Sequence, residues 1–567
     1  MKAAAPALVA GIALAAFVVF LPALDGEWLS WDDDVNFVHN PHFRGLGLVH
    51  LKWMLTTTRL AVYAPLAWIT LGFNYVLGGL DPWGYHLGNM LLHAGSAALL
   101  FLIARRLLAA GMEEEATAPG LLPGAAVAAL VFAVHPLRVE SVAWVTERRD
   151  VLSAFLYLAA VLAYLRGVER PGPLRGGWRI ASLAALAAAL AAKGLAMTLP
   201  ASLLLVDVYP LRRHRALGWA ALVREKLPFF ALAALGAAAA LWAVSEGGHW
   251  TPYGEQGIGA RVAMTGYSLW FYPSRFAWPA GLSPYYEMPE QVRLGDPRFL
   301  LPMLAVAGVS AALIAAARRW PAGLAAWIHS AITIAPVSGV VHAGAPLAAD
   351  RFAYLSGLGF ALLAGAAAAW VVRRRHTGQL GAPVQAAVAA AAAIAVAGLG
   401  AQTWEQSKVW RSSDTLWRTA VDADAGCSLC RSHLGHVLLG QHQLLAAERE
   451  FRRAAELRPG HAKQLNNLGL VLAAQGRHVE AEPVLRSAIA LDPDLAGALA
   501  NLGQLYADQE RWAEAAPLLS RAIALGADAP GVRAAAARVA RRGAPAPPTS
   551  GGAAPPRRTP DSPVRPR

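Results

Sequence analysis

The sequence predicts an all-α protein: a polytopic membrane domain of about eleven crossings followed by a tetratricopeptide solenoid. Three observations predict this class. Of 567 residues, 56% are hydrophobic and only 15% charged, with a mean hydropathy of +0.38, where an ordinary globular chain carries roughly a quarter of charged residues. Apolar runs near the roughly 20 residues that cross a bilayer recur up to residue 402. Beyond it, hydrophobicity falls and a helical repeat begins. A soluble cytosolic enzyme and a secreted disulfide scaffold are both excluded. The net charge of +13 points to no nucleic-acid partner, because the arginines sit mainly at the ends of apolar runs.

The apolar segments are 5–24, 84–104, 122–138, 150–166, 178–194, 196–209, 227–245, 299–317, 321–341, 352–372 and 383–402. The segments 178–194 and 196–209 are short and read either as two crossings or as a re-entrant pair. Alternate connections carry Arg105 and Arg106, then Arg166, Arg170, Arg175 and Arg179, then Arg212, Arg213 and Arg215, then Arg318 and Arg319, then Arg373, Arg374 and Arg375. The positive-inside rule makes that face cytoplasmic. The first segment has no small-residue cleavage site before Asp25, so it reads as an anchor. The loops 25–83, 139–149, 246–298 and 342–351 and the C-terminal module then face outward, into a bacterial periplasm or a eukaryotic ER lumen.

The division is 1–402 for the membrane domain, 403–541 for the repeat domain and 542–567 for a Pro/Arg-rich tail expected to be disordered. Leu434-Gly435, Leu468-Gly469 and Leu502-Gly503 recur 34 residues apart. Ala447, Ala481 and Ala515 keep the same step, as do Phe451, Leu485 and Leu519, and Ala454, Ala488 and Ala522. Small residues where two helices touch and apolar ones where they pack define tetratricopeptide repeats, placed at about 428–461, 462–495 and 496–529. Helices at 404–425 and 532–541 are expected to flank the stack. Such an array suits an extended peptide; a spacer or dimerisation element is the plainer use. Cys427 and Cys430 can bridge in an oxidising compartment or be incidental. Arg431 follows where haem attachment needs His, and no second pair completes a zinc site.

Chemistry is expected in the outward loops. Trp31-Asp32-Asp33-Asp34 places three adjacent carboxylates just beyond the first segment. Their repulsion is expected to raise at least one pKa and suit it to general-base or cation-binding work, the alternative being a solvated acidic turn. The second loop supplies His135, Arg138, Glu140, Arg148, Arg149 and Asp150. Lys193 lies within an apolar run, where an ionisable group is either functional or snorkels to the interface. Asp350-Arg351 stands at the outer end of the tenth segment with Tyr354 one turn on. Carboxylates with several cations at this depth suit a polyprenyl-phosphate sugar. The lipid stays in the bilayer, a carboxylate takes the acceptor proton, and Arg and Lys stabilise the departing phosphate. The expected general base is Asp33, with Asp32 next, and Glu140 orients groups nearby. Arg149, Lys193 and Arg351 are expected on the lipid phosphate.

Trp31-Asp32-Asp33 with His39-Asn40-Pro41 resembles the acidic first-loop motif of the transmembrane and TPR-repeat-containing O-mannosyltransferases and their bacterial relatives. The resemblance continues through Tyr63-Ala64-Pro65-Leu66 and Pro82-Trp83-Gly84-Tyr85-His86-Leu87 with Asn89 and His93. It then runs through His135-Pro136 to Glu140, Arg149-Asp150, Lys193, and Ala349-Asp350-Arg351 with Tyr354. It covers nearly the whole chain, and the ordered set of motifs carries it. It implies a C-type glycosyltransferase that moves mannose or another hexose from a polyprenyl-phosphate carrier to Ser/Thr hydroxyls of a protein, without a metal or other cofactor. It implies substrate contacts at His86, His135, Arg148, Arg149, Asp150, Lys193, Asp350, Arg351 and Tyr354. Ala64 stands where many eukaryotic members have Arg, and only three clear repeats follow where those members carry longer arrays. An oligosaccharide ligase or polymerase for envelope glycans and a non-catalytic TPR scaffold are the competing readings. The topology is checked by fusion: a reporter at Gln379 is expected to read cytoplasmic and one at Gly543 outside, and the same side for both removes the odd crossing number.

Overall fold

The computed structural model describes residues 4–115, 118–170, 173–246, 257–339, 346–527 and 529–543. The expected tail, from 544 on, and residues 342–345 of the loop 342–351 lie outside the described residues. Two compact units are present, Met1–Val437 and Leu438–Arg567.

The first unit is built from α1 (Ala4–Val18), α2 (Pro82–Met112), α3 (Leu121–Ala133), α4 (Arg148–Glu169), α5 (Pro173–Ala192), α6 (Leu199–Val208), α7 (Trp219–Glu246), α8 (Ile258–Ala277), α9 (Pro297–Ala315), α10 (Pro321–Ile334), α11 (Leu358–His376) and α12 (Ala382–Val409). Among the described residues five helices are long and apolar enough to cross a membrane, or up to seven if each of two bent pairs is one span. The remaining four predicted segments carry apolar helical stretches of 10 to 17 described residues, Gly176–Ala192 within α5 among them. Ten-residue α6 reaches only about 15 Å at 1.5 Å per residue, half of a hydrocarbon core of about 30 Å. All eleven predicted segments are thus helical; among the described residues, length and composition support five to seven of them as spans. The bends have local causes. At the 57° break after α3 the chain runs through Pro136, which has no N–H to continue the helix. The second break, 52°, falls at Gly357 ahead of α11. The stretch read as one long loop at 246–298 contains the 20-residue α8, whose polar and aromatic side chains hid it from a hydropathy reading.

Close packing inside this unit depends on missing side chains. Where α3 crosses α11, a Cβ on Gly124 would lie 2.6 Å from the Gly365 carbonyl and 2.7 Å from the Ala369 methyl. The boundary at Val437 falls later than the expected 402/403. Helix α13 (Ser413–Ala423) and the start of α14 (Ser428–Gly440) belong to the first unit. The reason is aromatic: Trp410 and Trp417 are fully buried and pack on Trp31 at ring-centroid distances of 6.2 and 5.1 Å. Cys427 and Cys430, also in this unit, are buried and disulfide-bonded.

The second unit continues as α15 (Leu444–Leu457), α16 (Ala462–Ala474), α17 (His478–Leu491), α18 (Ala496–Asp508), α19 (Trp512–Ala524) and α20 (Pro530–Gly543). Each small and apolar position of the 34-residue pattern is buried: Ala447, Ala481, Ala515, Phe451, Leu485 and Leu519 are at most 1% exposed. Gly469 and Gly503 are explained by what faces them, since a Cβ there would meet Leu485 at 2.6 Å and Leu519 at 2.8 Å. Ion pairs repeat with the same period: Arg477 to Glu448 and Arg511 to Glu482, both 2.7 Å.

Gly124→Leu is expected to lower the unfolding free energy by about 1 to 3 kcal/mol through overpacking, read as a lower unfolding midpoint in detergent. Gly308→Ala, where nothing lies within 4 Å of the added carbon, leaves the midpoint unchanged or raises it.

Candidate active site

The acidic tripeptide does not act as one repelling cluster, because its turn sends the three side chains to different places. Asp33 is fully buried and takes three hydrogen bonds, from Leu29 N (3.2 Å), Thr146 N (3.1 Å) and Thr146 Oγ1 (2.6 Å). It fastens the first loop to the segment ahead of α4. Asp34 turns back and accepts its own neighbour's N–H, Val35 N, at 2.8 Å. Asp32 stays partly exposed and accepts no side-chain hydrogen bond from any described residue, yet it lies in the fields of Arg149 and Arg351. Burial pushes Asp33 up to about 7 against the three hydrogen bonds that favour its charged form. Burial also lifts Asp32 above 3.8, opposed by the two arginines. Desolvation, not repulsion between neighbours, is the first cause in both.

The charged side chains near Asp32 form two layers. Glu147, at the 3-10 turn that leads into α4, has no exposure and holds three cations. It pairs with Arg149 at 2.7 Å, Lys193 at 3.0 Å and Arg351 at 3.5 Å. Lys193 reaches Asp150 at 2.5 Å, having left α5 in an extended conformation. Arg351 bonds to Glu140 through its guanidinium, and its backbone N–H donates to the same carboxylate at 2.8 Å. The carboxylates form the floor, with Glu147, Glu140 and Asp150 at 0%, 2% and 6% exposure; Arg149, Lys193 and Arg351 keep 16%, 15% and 13% and form the accessible side. Aromatic rings wall it: Arg351 stands over Phe352 and Trp144 at 5.0 and 5.7 Å, and Trp31 stacks on Trp144 at 4.6 Å.

Of the residues expected from sequence, Asp32, Glu140, Arg149, Asp150, Lys193 and Arg351 come together. The others do not line this group. Arg148 turns into the helix packing and donates to Asn89 Oδ1 (2.5 Å), Asn74 Oδ1 (2.8 Å) and the Tyr85 carbonyl (2.7 Å). Consecutive residues at a helix start point in different directions, so Arg148 and Arg149 cannot share one site. His86 is buried against Gly26. His135 stacks on Phe276 at 4.5 Å and faces its carbonyl at 3.0 Å. Tyr354 bonds to His93 Nδ1 at 2.7 Å, and Asp350 accepts from the Tyr286 hydroxyl at 3.0 Å. Glu147 was missed by the sequence reading. Its signal was the unbroken Glu147-Arg148-Arg149-Asp150 quartet, of which only the last three were singled out. Among the described residues no group of three or more His, Cys, Asp or Glu is arranged to hold a metal ion.

Fold and site define a helical membrane protein with a buried two-layer charge cluster and a tetratricopeptide unit. Family models described as tetratricopeptide repeat match residues 433–496 and 472–539. The chain is 41% identical over 126 residues to the Drosophila melanogaster protein O-mannosyl-transferase Tmtc3, and 35% identical over 165 residues to the Homo sapiens protein O-mannosyl-transferase TMTC4. These alignments take in 20% and 27% of this chain, and 14% and 22% of the relatives' own length. The resemblance to the TPR-containing O-mannosyltransferases is therefore one of aligned sequence as well as motif order. The crystal structure of ArnT from Cupriavidus metallidurans bound to undecaprenyl phosphate is 18% identical over 86% of this chain and 80% of that one, with a TM-score of 0.34, a likeness too slight to fix the fold.

Glu147→Gln leaves Arg149 without its carboxylate and is expected to cost about 3 to 5 kcal/mol, the penalty for breaking a buried pair from one side. The measurement is the unfolding midpoint in detergent. A loss under about 1 kcal/mol, the worth of a surface pair, would contradict the burial of the group.

Proposed function

We propose that the chain is a membrane glycosyltransferase that moves a hexose from a polyprenyl-phosphate carrier to Ser/Thr hydroxyls of a protein on the outer face of the membrane. The layering of the charge cluster carries this reading. Three cations are held from beneath by buried carboxylates, so each keeps its outer side for an anion, and beside them stands a carboxylate with no bond to the protein. A sugar phosphate placed there sets its phosphate on Arg149, Lys193 and Arg351. Asp32, rather than Asp33, takes the proton of the acceptor hydroxyl, because Asp33 has every oxygen engaged in holding the loop. The acceptor oxygen bonds to the anomeric carbon as the bond from that carbon to the phosphate oxygen breaks, and the electron pair leaves on the phosphate. The cations stabilise that charge with their positions already fixed, which avoids reorganisation in the transition state.

A lipid carrier is supported by an apolar cavity of about 560 Å³ in the same unit, lined by Leu100, Ile103, Tyr157, Leu203, Leu358 and Trp370 among others. Tyr157 lies eight residues along α4 from Arg149, roughly 12 Å at 1.5 Å per residue. The repeat unit supports a peptide acceptor, since an array on the same chain raises the local concentration of whatever it binds.

Asp32→Asn is expected to lower hexose transfer by about 10² to 10⁴-fold, the contribution of a general base, read by mass spectrometry of Ser/Thr-linked hexose on outer-face proteins. Asp32 must be ionised to accept a proton, so the rate falls as pH drops through its pKa, which burial has lifted above 3.8. That acidic limb persists in Asp33→Asn. A limb near pH 7 that vanishes in Asp33→Asn would make Asp33 the base, and transfer undiminished in both variants would favour the scaffold. Unchanged protein glycosylation with an altered surface polysaccharide would favour the ligase.

A further inference from the structure

A second buried charge network occupies the opposite end of α4. Tyr164 lies 15 residues beyond Arg149, roughly 22 Å along the helix, among the arginine-rich connections. Lys226 and Asp207 are both fully buried, with Nζ 2.6 Å from Oδ2. The Tyr164 hydroxyl is 2.7 Å from either Asp207 oxygen and accepts from Lys226 Nζ at 2.7 Å. Arg213 closes the network on Asp207 and Glu225, both at 2.9 Å. Among the described residues both carboxylates of the network are engaged, Asp207 by Lys226 and Arg213 and Glu225 by Arg213.

Beside it is a cavity of about 580 Å³, lined by Tyr164, Gly167, Val168, Gly176, Arg179, Ala221, Arg224 and Glu225. Arg179 donates to the neutral Glu225 carbonyl at 3.1 Å, and Arg224 has no ion pair with any described residue. Two guanidinium charges therefore face the cavity unmatched. The glycines keep its wall open, since a Cβ on Gly176 would meet nothing within 4 Å. The helix faces beside it are bare of protein. Ile180 next to Arg179 is 69% exposed, and Leu227 and Phe230, one and two turns into the apolar part of α7 from Arg224, are 54% and 38% exposed.

We propose that this cavity binds the phosphate headgroup of an anionic membrane lipid, with Arg179 and Arg224 on the phosphate and its acyl chains along Ile180, Leu227 and Phe230. Basic pockets between membrane helices on the positively charged side suit such headgroups, and each arginine contributes about 1 kcal/mol. A free phosphate would satisfy the arginines, but it would leave the apolar track unused. Glu225 and the buried network set the distance between α4 and α7, so the pocket is preformed. The site is independent of the sugar-transfer reading and stands at the other end of the helix.

Native mass spectrometry of the full chain in nonionic detergent, titrated with phosphatidylglycerol and with phosphatidylcholine, tests it. One phosphatidylglycerol is expected to bind in preference, and R179Q/R224Q to weaken that binding about thirtyfold, the ratio that about 2 kcal/mol represents. Both residues are exposed, so the variant keeps the buried network. Unchanged binding in R179Q/R224Q overturns the proposal. So does an equal loss in R318Q/R319Q, arginines of another connection, and so does displacement of the lipid by millimolar inorganic phosphate.

Discussion

A carboxylate with no access to water is tolerable only if its charge is met, and Glu147 is met three times over. Its partners come from different segments: Arg149 from the first turn of α4, Lys193 from beyond the end of α5, and Arg351 from the turn that precedes α11. A single buried side chain therefore fixes where three parts of the membrane unit converge. Such an arrangement contributes little net stability over an apolar core, because desolvation offsets most of the Coulomb attraction. Its product is geometry. Cations anchored by buried carboxylates are held in place, and each keeps some exposure, 16%, 15% and 13%.

The first loop is brought to this layer by two kinds of bond. Asp33 ties it to Thr146, one residue before Glu147. Trp31 enters a stack with Trp144, Trp410 and Trp417, while Ser30 N donates to Ser413 Oγ at 2.7 Å and Glu27 N to the Arg411 carbonyl at 2.8 Å. Farther on, both Glu287 oxygens accept from the start of α14, Ser428 N at 2.7 Å and Leu429 N at 3.2 Å. Helices that a repeat pattern assigns to the solenoid thus serve as a brace for the site. Asp32 lies between two anchored neighbours, Trp31 and Asp33, and needs no bond of its own to be held in place.

Composition and periodicity made the helical class, the apolar segments and the repeat unit legible, because each depends on patterns within one stretch of chain. Leu485 against Gly469 was readable in advance for that reason. The division of labour among Asp32, Asp33 and Asp34 was not, since it depends on Thr146 and on arginines more than a hundred residues away. The same holds for Arg148 and Arg149: both are charged and adjacent, and only the packing of Asn74 and Asn89 decides which one leaves the site. Glu147 escaped because an acidic residue beside two arginines looks like a solvated pair until burial is known. Span number was not legible in the same way, because apolar composition records which surface can face lipid, whereas helix breaks at Pro136 and Gly357 decide how far each piece reaches.

The two charge networks on α4 solve one electrostatic problem in opposite ways. A helix buried in an apolar medium must satisfy every ionisable group within the protein, at several kcal/mol for each one left alone. At the Arg149 end the carboxylates are deepest and the cations outermost. At the Tyr164 end an Asp–Lys pair is deepest, the adjoining arginine is matched, and two further arginines on the rim have no carboxylate to meet them. In both, the deepest groups balance one another and cations keep their exposure at the rim, joined at the Arg149 end by Asp32 and at the Tyr164 end by Glu225. On the two readings proposed above, cations held over a neutralised floor would receive an anion from the rim side, and in a membrane such an anion is one whose other end is already in the bilayer.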